Sequence, residues 1–325
     1  MNKLLHLFKL GWAYKIARPT KLNYPPYQFT IEPTNVCNLR CPFCPQSDPE
    51  HAHRRAFDQL SMDNFKLFLK HLRDAHPGNS NLNFTLDGEP FINPQFVNFV
   101  EMATAEGYFC IFASNGTLLD RKAADRLAAA GPFRASIDFA PDKYTFETIR
   151  GRKGDYDNVL ANLRYLIELA KTNKNVHLDI HDITSYTGAD PALSMQRLRA
   201  LFPADLPSRV SIEPRIFHNF CGHLMMPQKE RRYRLCPYPW VQMAIAHNGD
   251  CVGCCRDTVG RSVLGNVFKQ PVMDIWNGAP YQQFRKNLRD GRPDLNHACK
   301  DCDMPWSAGE PRWKLGYVVR SLLGR

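Results

Sequence analysis

Glu32-Pro33-Thr34-Asn35-Val36-Cys37-Asn38-Leu39-Arg40-Cys41-Pro42-Phe43-Cys44 sets three cysteines in a C-x3-C-x2-C loop, directly after the strand-like run Gln28–Pro33. Three thiolates on one short loop suit an iron–sulfur cluster or a zinc ion. On a cubane of four irons, three ligands leave one iron open to another molecule. Zinc would call for a fourth Cys or His, and His51 and His53 are close in sequence. A loop that follows a strand belongs to the C-terminal mouth of a barrel, where active sites are assembled.

The alternation that starts there continues along the chain. Candidate strands are Gln28–Pro33, Leu82–Leu86, Phe109–Ala113, Arg134–Ile137, Val176–Ile180 and Arg209–Ile212. Amphipathic stretches separate them: Met62–Ala75, Pro94–Ala105, Arg121–Ala130, Tyr156–Thr172 and Pro191–Leu201. Such alternation predicts an α/β fold of parallel strands with crossover helices. Six units suit a partial (β/α)6 barrel, and an ordinary doubly wound sheet has the same periodicity. After about residue 235 the pattern changes. Trp240–Ala246 reads as a strand, His247-Asn248-Gly249-Asp250 as a hairpin turn, and Asp274–Leu288 as a helix. The expected organisation is a basic amphipathic segment over 1–27, a barrel over 28–235, a small hairpin-and-helix module over 236–310, and a basic amphipathic tail over 311–325.

The chain has 325 residues, 42 Lys+Arg against 32 Asp+Glu for a net charge of +10, and 44% hydrophobic residues. These figures exclude disorder, collagen and coiled coil. No apolar run reaches the roughly 18 residues of a membrane-spanning helix. The N-terminus interleaves Lys3, Lys9, Lys15 and Arg18 with Leu4, Leu5, Leu7, Phe8, Leu10, Trp12 and Ile16, which is not a signal-peptide pattern. A cytoplasmic protein is expected, so the 11 cysteines point to metal or catalysis rather than disulfides. Besides the first three, Cys236, Cys254, Cys299 and Cys302 form C-x12-G-x4-C followed by C-x2-C. Four thiolates would saturate a second [4Fe–4S] cluster or a structural zinc. Cys254 fits the spacing, and neighbouring Cys251 or Cys255 could replace it. Cys110 is expected in the core.

Several segments together resemble the radical S-adenosylmethionine (SAM) superfamily. The cysteine loop is one. Leu86-Asp87-Gly88-Glu89-Pro90 follows the second strand, Ala113-Ser114-Asn115-Gly116-Thr117 the third, and Ala135-Ser136-Ile137-Asp138 ends the fourth. The resemblance implies that Cys37, Cys41 and Cys44 hold a [4Fe–4S] cluster whose open iron is chelated by SAM. It implies that Phe43 lies near the adenine and that Gly88, Glu89 and Pro90 form the turn that meets the methionyl amino group. Ser114, Asn115 and Ser136 would contact ribose and carboxylate. Arg150, in Thr148-Ile149-Arg150-Gly151, is a further candidate for the carboxylate. The implied chemistry is reductive cleavage of SAM to a 5′-deoxyadenosyl radical, which takes a hydrogen atom from the substrate.

The later cysteines resemble the auxiliary-cluster module called SPASM in its shortened twitch form. Cys236-Pro-Tyr-Pro-Trp240, Gly249-Asp-Cys-Val-Gly-Cys254, Leu264-Gly-Asn-Val267, Asp274-Ile-Trp276 and Cys299-Lys-Asp-Cys302 carry the resemblance. The full module continues C-x5-C-x3-C, whereas Asp303-Met-Pro-Trp-Ser-Ala-Gly follows here, which implies one auxiliary [4Fe–4S] cluster. The architecture resembles the single-cluster twitch dehydrogenases that oxidise an amino-cyclitol. That implies a sugar- or cyclitol-like small molecule as substrate rather than a peptide, and an electron donor of the flavodoxin or ferredoxin type. A peptide-modifying maturase, an epimerase or an enzyme of a lipid-linked substrate are the alternatives. Cys221, just past the last barrel strand, is a candidate hydrogen-atom donor, with a buried inert thiol as the plainer outcome. No nucleic-acid motif accompanies the scattered Arg54, Arg55, Arg231, Arg232 and Arg234. The two basic amphipathic termini suit peripheral contact with an anionic membrane.

Overall fold

A computed structural model describes residues 3–50, 55–75, 81–152, 155–224 and 233–306. His51, His53 and the tail 311–325 lie outside them.

Helix α1 (Lys3–Trp12) runs into a π turn at Ala13–Ala17. The barrel units follow: β1 (Gln28–Ile31), α2 (Met62–Ala75), β2 (Asn81–Phe84), α3 (Phe96–Ala105), β3 (Phe109–Ser114), α4 (Arg121–Ala130) and β4 (Phe133–Phe139). Then come α5 (Lys143–Arg150), α6 (Tyr156–Thr172), β5 (Val176–Asp182), α7 (Pro191–Arg199) and β6 (Val210–Pro214). Strands β1 to β6 pair in parallel with their sequence neighbours, as crossover helices require. All six expected strands and all five expected helices are present, with ends shifted by a few residues. Helix α5 was not anticipated. It is short, but Asp142 caps it by accepting from the Thr145 N–H at 2.8 Å, and Gly151 ends it at φ +70°.

The chain then forms α8 (Tyr238–Val241), β7 (Gln242–Ile245), β8 (Asp250–Val252), β9 (Val263–Asn266), α9 (Val272–Trp276) and α10 (Ala279–Arg289). The expected hairpin is there, with Gly249 at φ +87° in its turn. Its first strand pairs in parallel with β1, Gln28 to Ile31 against Gln242 to Ile245. One nine-stranded sheet results, in the order β6-β5-β4-β3-β2-β1-β7-β8-β9. The single helix read over 274–288 is two, because Asn277-Gly278 breaks it and Pro280 starts the second.

Each barrel strand presents two faces. On β4, Phe133, Ala135, Ile137 and Phe139 are fully buried and join the core with Leu163, Leu166 and Ile167 of α6. The alternate Arg134, Ser136 and Asp138 are only half-buried, on the face the helices leave open. Residues 19–24 strap the N-terminal segment to the C-terminal module. Trp240 Nε1 donates to Pro19 O at 2.9 Å, Trp276 Nε1 to Tyr24 O at 3.0 Å, and buried Arg285 to Thr20 O at 2.9 Å. Arg285 also lies over the Trp276 ring at 4.1 Å. Desolvation lowers its pKa to about 10, and its hydrogen bonds to carbonyls offset the cost of burying the charge.

Candidate functional site

The cysteine loop leaves β1 at the C-terminal edge of the sheet and meets the turn after β2. Contact is backbone to backbone: the Glu89 N–H donates to Val36 O at 2.8 Å. Gly88, at φ +69°, sits so close that a Cβ there would lie 2.4 Å from Thr34 O and 2.7 Å from Val36 O. Only glycine fits this approach. Pro90 then begins a 3-10 turn.

The turn buries Glu89 completely. Its carboxylate accepts from Ser114 Oγ at 2.8 Å, the Asn115 N–H at 2.7 Å and the Phe91 N–H at 3.3 Å. Three donors meet it, and among the described residues no cation stands at contact distance. Desolvation by burial therefore raises its pKa to about 7, although these donors and the more distant Arg150 pull it down.

Asn115 bridges back to the loop. Its Nδ2 donates to Asn38 Oδ1 at 2.7 Å and lies 3.9 Å from Cys37 Sγ. Buried Arg150 reaches in from the end of α5, with Nη1 3.6 Å from Cys41 Sγ and Nη2 donating to Asp138 O at 3.1 Å. Its Nε is buried and makes no hydrogen bond. Phe43 packs edge-on to Tyr186 at 5.6 Å and against Phe217 at 5.0 Å. Thus Cys37, Cys41, Glu89, Ser114, Asn115 and Arg150 form one contiguous group. Cys44 is held nearby, its carbonyl accepting from Ser47 Oγ at 2.8 Å. Ser136 lies on the half-buried face of β4, in register with Ala113 of β3 and Asp179 of β5.

Further polar groups, assigned no role by the motifs, line the same open face. Asp138 stands 3.4 Å from Arg215 Nη1, 3.5 Å from His181 Nδ1 and 3.8 Å from Arg150 Nη1. Burial opposes its ionisation, but Arg215, His181 and Arg150 outweigh burial and hold its carboxyl well below the usual range. One layer deeper, Arg134 meets Asp179 at 3.5 Å, and Ser211 donates to Asp179 at 2.8 Å. The available signal was positional and covers only Asp138, His181 and Arg215, which end or follow successive strands. Beneath the loop, Glu32 is fully buried. Arg55 Nη1 and Nη2 donate to it at 2.7 and 2.6 Å, and His247 Nδ1 stands 2.8 Å away. Burial would raise the Glu32 pKa, but these bonds lower it overall.

In the C-terminal module, Cys236, Cys254, Cys299 and Cys302 line one pocket with Arg256 and Tyr238. Cys251 is buried in the main core on β8, and Cys255 packs beside Leu86, Ala244 and Val252. Neither lines the pocket. Arg256 is 6% exposed, and its Nη1 makes no hydrogen bond. Cys110 is in the core. Cys221 is in neither the loop group nor the main core; it packs with Cys254 and Cys302 beside this pocket.

Comparison with known proteins accords with this geometry. The family model described as Radical SAM superfamily matches residues 31–185, and the one described as SPASM, iron–sulfur cluster-binding domain, matches 236–303. The chain belongs to the radical SAM superfamily and carries a C-terminal SPASM-type module. It is 23% identical over 278 residues to the S-adenosyl-L-methionine-dependent 2-deoxy-scyllo-inosamine dehydrogenase of Niallia circulans, covering 84% of this chain and 91% of that one. It is 29% identical over 170 residues to the AdoMet-dependent heme synthase of Nitratidesulfovibrio vulgaris, covering 49% of this chain and under half, 44%, of that relative. The crystal structure of BtrN in complex with AdoMet and 2-DOIA shares the fold, with a TM-score of 0.58 at 19% identity over 87% of this chain and 94% of that one. The protein is an enzyme, and its cofactors are a [4Fe–4S] cluster, SAM and an auxiliary iron–sulfur cluster. The residues fit them. The loop offers thiols met by N–H donors, the Gly88 turn leaves a cradle without a side chain, and Arg150 has a spare buried donor. The second pocket gathers four thiols around a buried cation.

The folded apoprotein holds the Glu89 proton up to about pH 7, while the unfolded chain releases it near 4.5. Folding therefore loses stability as pH rises between those values. Replacing Glu89 by Gln should raise the apoprotein's melting temperature relative to wild type. The gain should grow from pH 5 to pH 7 and level off above it, as read by thermal scans.

Proposed function

We propose that this enzyme oxidises an alcohol group on a polar, hydroxylated small molecule of sugar or cyclitol type. The observation that carries this is the charged open face of the sheet: Asp138, His181 and Arg215 at the ends of β4 to β6, with Arg134, Asp179 and Ser211 behind them. Such a surface supplies several hydrogen bonds to hydroxyl or amino groups and suits an apolar substrate poorly. The similarity to a dehydrogenase of 2-deoxy-scyllo-inosamine points the same way.

Cys37, Cys41 and Cys44 would hold the SAM-binding cluster, and Cys236, Cys254, Cys299 and Cys302 the auxiliary [4Fe–4S] cluster. When bound, these groups supply a hydrogen-abstracting radical from SAM and an acceptor for the substrate's remaining electron. The chain's part is orientation and proton handling. Ionised Glu89 would hold the methionyl ammonium, with Ser114 and Asn115 fixing its carboxylate. Arg150 and Ser136 would hold the SAM carboxylate and ribose, and Phe43 would lie on the adenine. His181, whose Nδ1 stands 3.5 Å from Asp138, would accept the hydroxyl proton. Oxidation then balances: one hydrogen atom, one proton and one electron leave the carbinol. A flavodoxin or ferredoxin would deliver the priming electron to the basic surface. Substrate deuterated at the carbinol carbon should transfer its label to 5′-deoxyadenosine. In His181→Gln the transfer should persist while ketone formation falls at least about a hundredfold. A wild-type enzyme that transfers no label from any such polyol would refute the substrate class.

One surface feature favours peripheral membrane contact. Helix α1 and its π turn bury His6, Leu10 and Ala13 but expose Leu5, Phe8, Trp12 and Ile16, the last at 69%, beside Lys9 and Lys15. An exposed apolar stripe edged by lysines suits an anionic lipid surface. Among the described residues no helix is long and apolar enough to cross a membrane. Phe8→Ser/Trp12→Ser should abolish co-sedimentation with phosphatidylserine vesicles; undiminished binding would rule this helix out.

A further inference from the structure

We propose that the auxiliary site holds five thiols rather than four, with Cys221 an alternative ligand that can take the place of Cys254 or Cys302. The inference rests on the assignment of Cys236, Cys254, Cys299 and Cys302 to that cluster.

Four observations lead to it. The first is contact. Cys221 is 1% exposed and shares an apolar cluster with Cys302 and Met304, against which Cys254 also packs. A sulfur that touches two ligands of one cluster lies within reach of the irons those ligands bind. The second is backbone conformation. Phe220 at φ +46°, Cys221 at φ +60° and Gly222 at φ +82° are three consecutive left-handed residues. Two of them carry side chains, for which this conformation costs free energy and persists only where the surroundings enforce it.

The third is the nature of that enforcement, since the turn is clamped to the loop that carries Cys299 and Cys302. Asn219 Nδ2 donates to Asp301 O at 2.7 Å, and the Asp303 N–H donates to Asn219 Oδ1 at 3.1 Å. A Cβ on Gly222 would lie 2.3 Å from the Asp301 side chain, so the two loops touch there. The fourth is a further tie: Arg261 Nη1 donates to Cys221 O at 2.7 Å, fixing the turn from the β8–β9 side. Three hydrogen bonds and one close backbone approach thus hold one thiol against two others. A thiol buried merely to fill the core needs none of them.

A four-iron cluster with no open iron takes four protein thiolates. A fifth in contact means that loss of one neighbouring ligand leaves a substitute in place.

The test uses full-length protein with Cys37, Cys41 and Cys44 replaced by Ala, so that any cluster retained is the auxiliary one. After anaerobic reconstitution, iron and sulfide are counted and the reduced cluster is read by electron paramagnetic resonance. The parent should hold on the order of four irons and four sulfides per chain. Adding Cys302→Ser or Cys254→Ser should leave the iron count near the parent's, with an altered spectrum. Adding Cys221→Ser to either should bring it below about one. Cys236→Ser and Cys299→Ser, at ligands outside the Cys221 contact, should lose the cluster with Cys221 present. Circular dichroism of each apoprotein confirms that it is folded. Loss of the cluster in Cys302→Ser and Cys254→Ser despite an intact Cys221 overturns the proposal. So does retention that does not depend on Cys221. A parent without iron refutes the auxiliary-cluster assignment itself, a result distinguishable from either.

Discussion

The close approach of two backbones, the cysteine loop after β1 and the Gly88 turn after β2, is the constraint on which the rest of the site depends. Residue 88 lacks a side chain, so the turn can lie on Thr34 and Val36 and donate the Glu89 N–H to Val36 O. That contact sets the depth at which Glu89 is buried. Burial in turn sets what the carboxylate can do: it meets only hydrogen-bond donors, and desolvation raises its pKa to about 7. A carboxylate so placed is prepared for a cation that arrives with a ligand. Asn115, held by Glu89 and Asn38, and Arg150, held by Asp138, extend the same arrangement to Cys37 and Cys41.

Strand β1 is the second organising element, because both halves of the molecule are built on it. It pairs with β2 on one side and with β7 on the other. Glu32, just past its end, is held by Arg55 from the barrel side and by His247 from the hairpin turn. The loop with the first three cysteines and the hairpin leading to Cys254 therefore share one rigid sheet. Continuous strand pairing fixes their separation more firmly than a docked domain would.

Much of this was legible in the sequence because parallel strands and amphipathic helices leave local periodicities, and motifs such as Cys37–Cys44 and Gly88–Pro90 are contiguous. What was not legible is pairing across long separations. Nothing in Gln242–Ile245 indicates that its parallel partner lies more than two hundred positions earlier. Asp138, His181 and Arg215 are individually ordinary residues on three different strands, and only the sheet register makes them neighbours. Cys221 shows the same limit: nothing in its chain position indicates that the left-handed turn at Phe220–Gly222 packs it with Cys254 and Cys302. Helix α5 escaped because its caps, Asp142 and Gly151, flank only eight residues.

The most direct measurement of the central claim is 5′-deoxyadenosine formation from SAM by reduced, reconstituted Gly88→Ala protein. Its reconstituted auxiliary cluster serves as the internal standard of folding. A Cβ forced against Thr34 and Val36 must separate turn and loop. The account predicts that SAM cleavage falls at least about a hundredfold while the auxiliary cluster's iron stays at the wild-type level. Cleavage at the wild-type rate would contradict it.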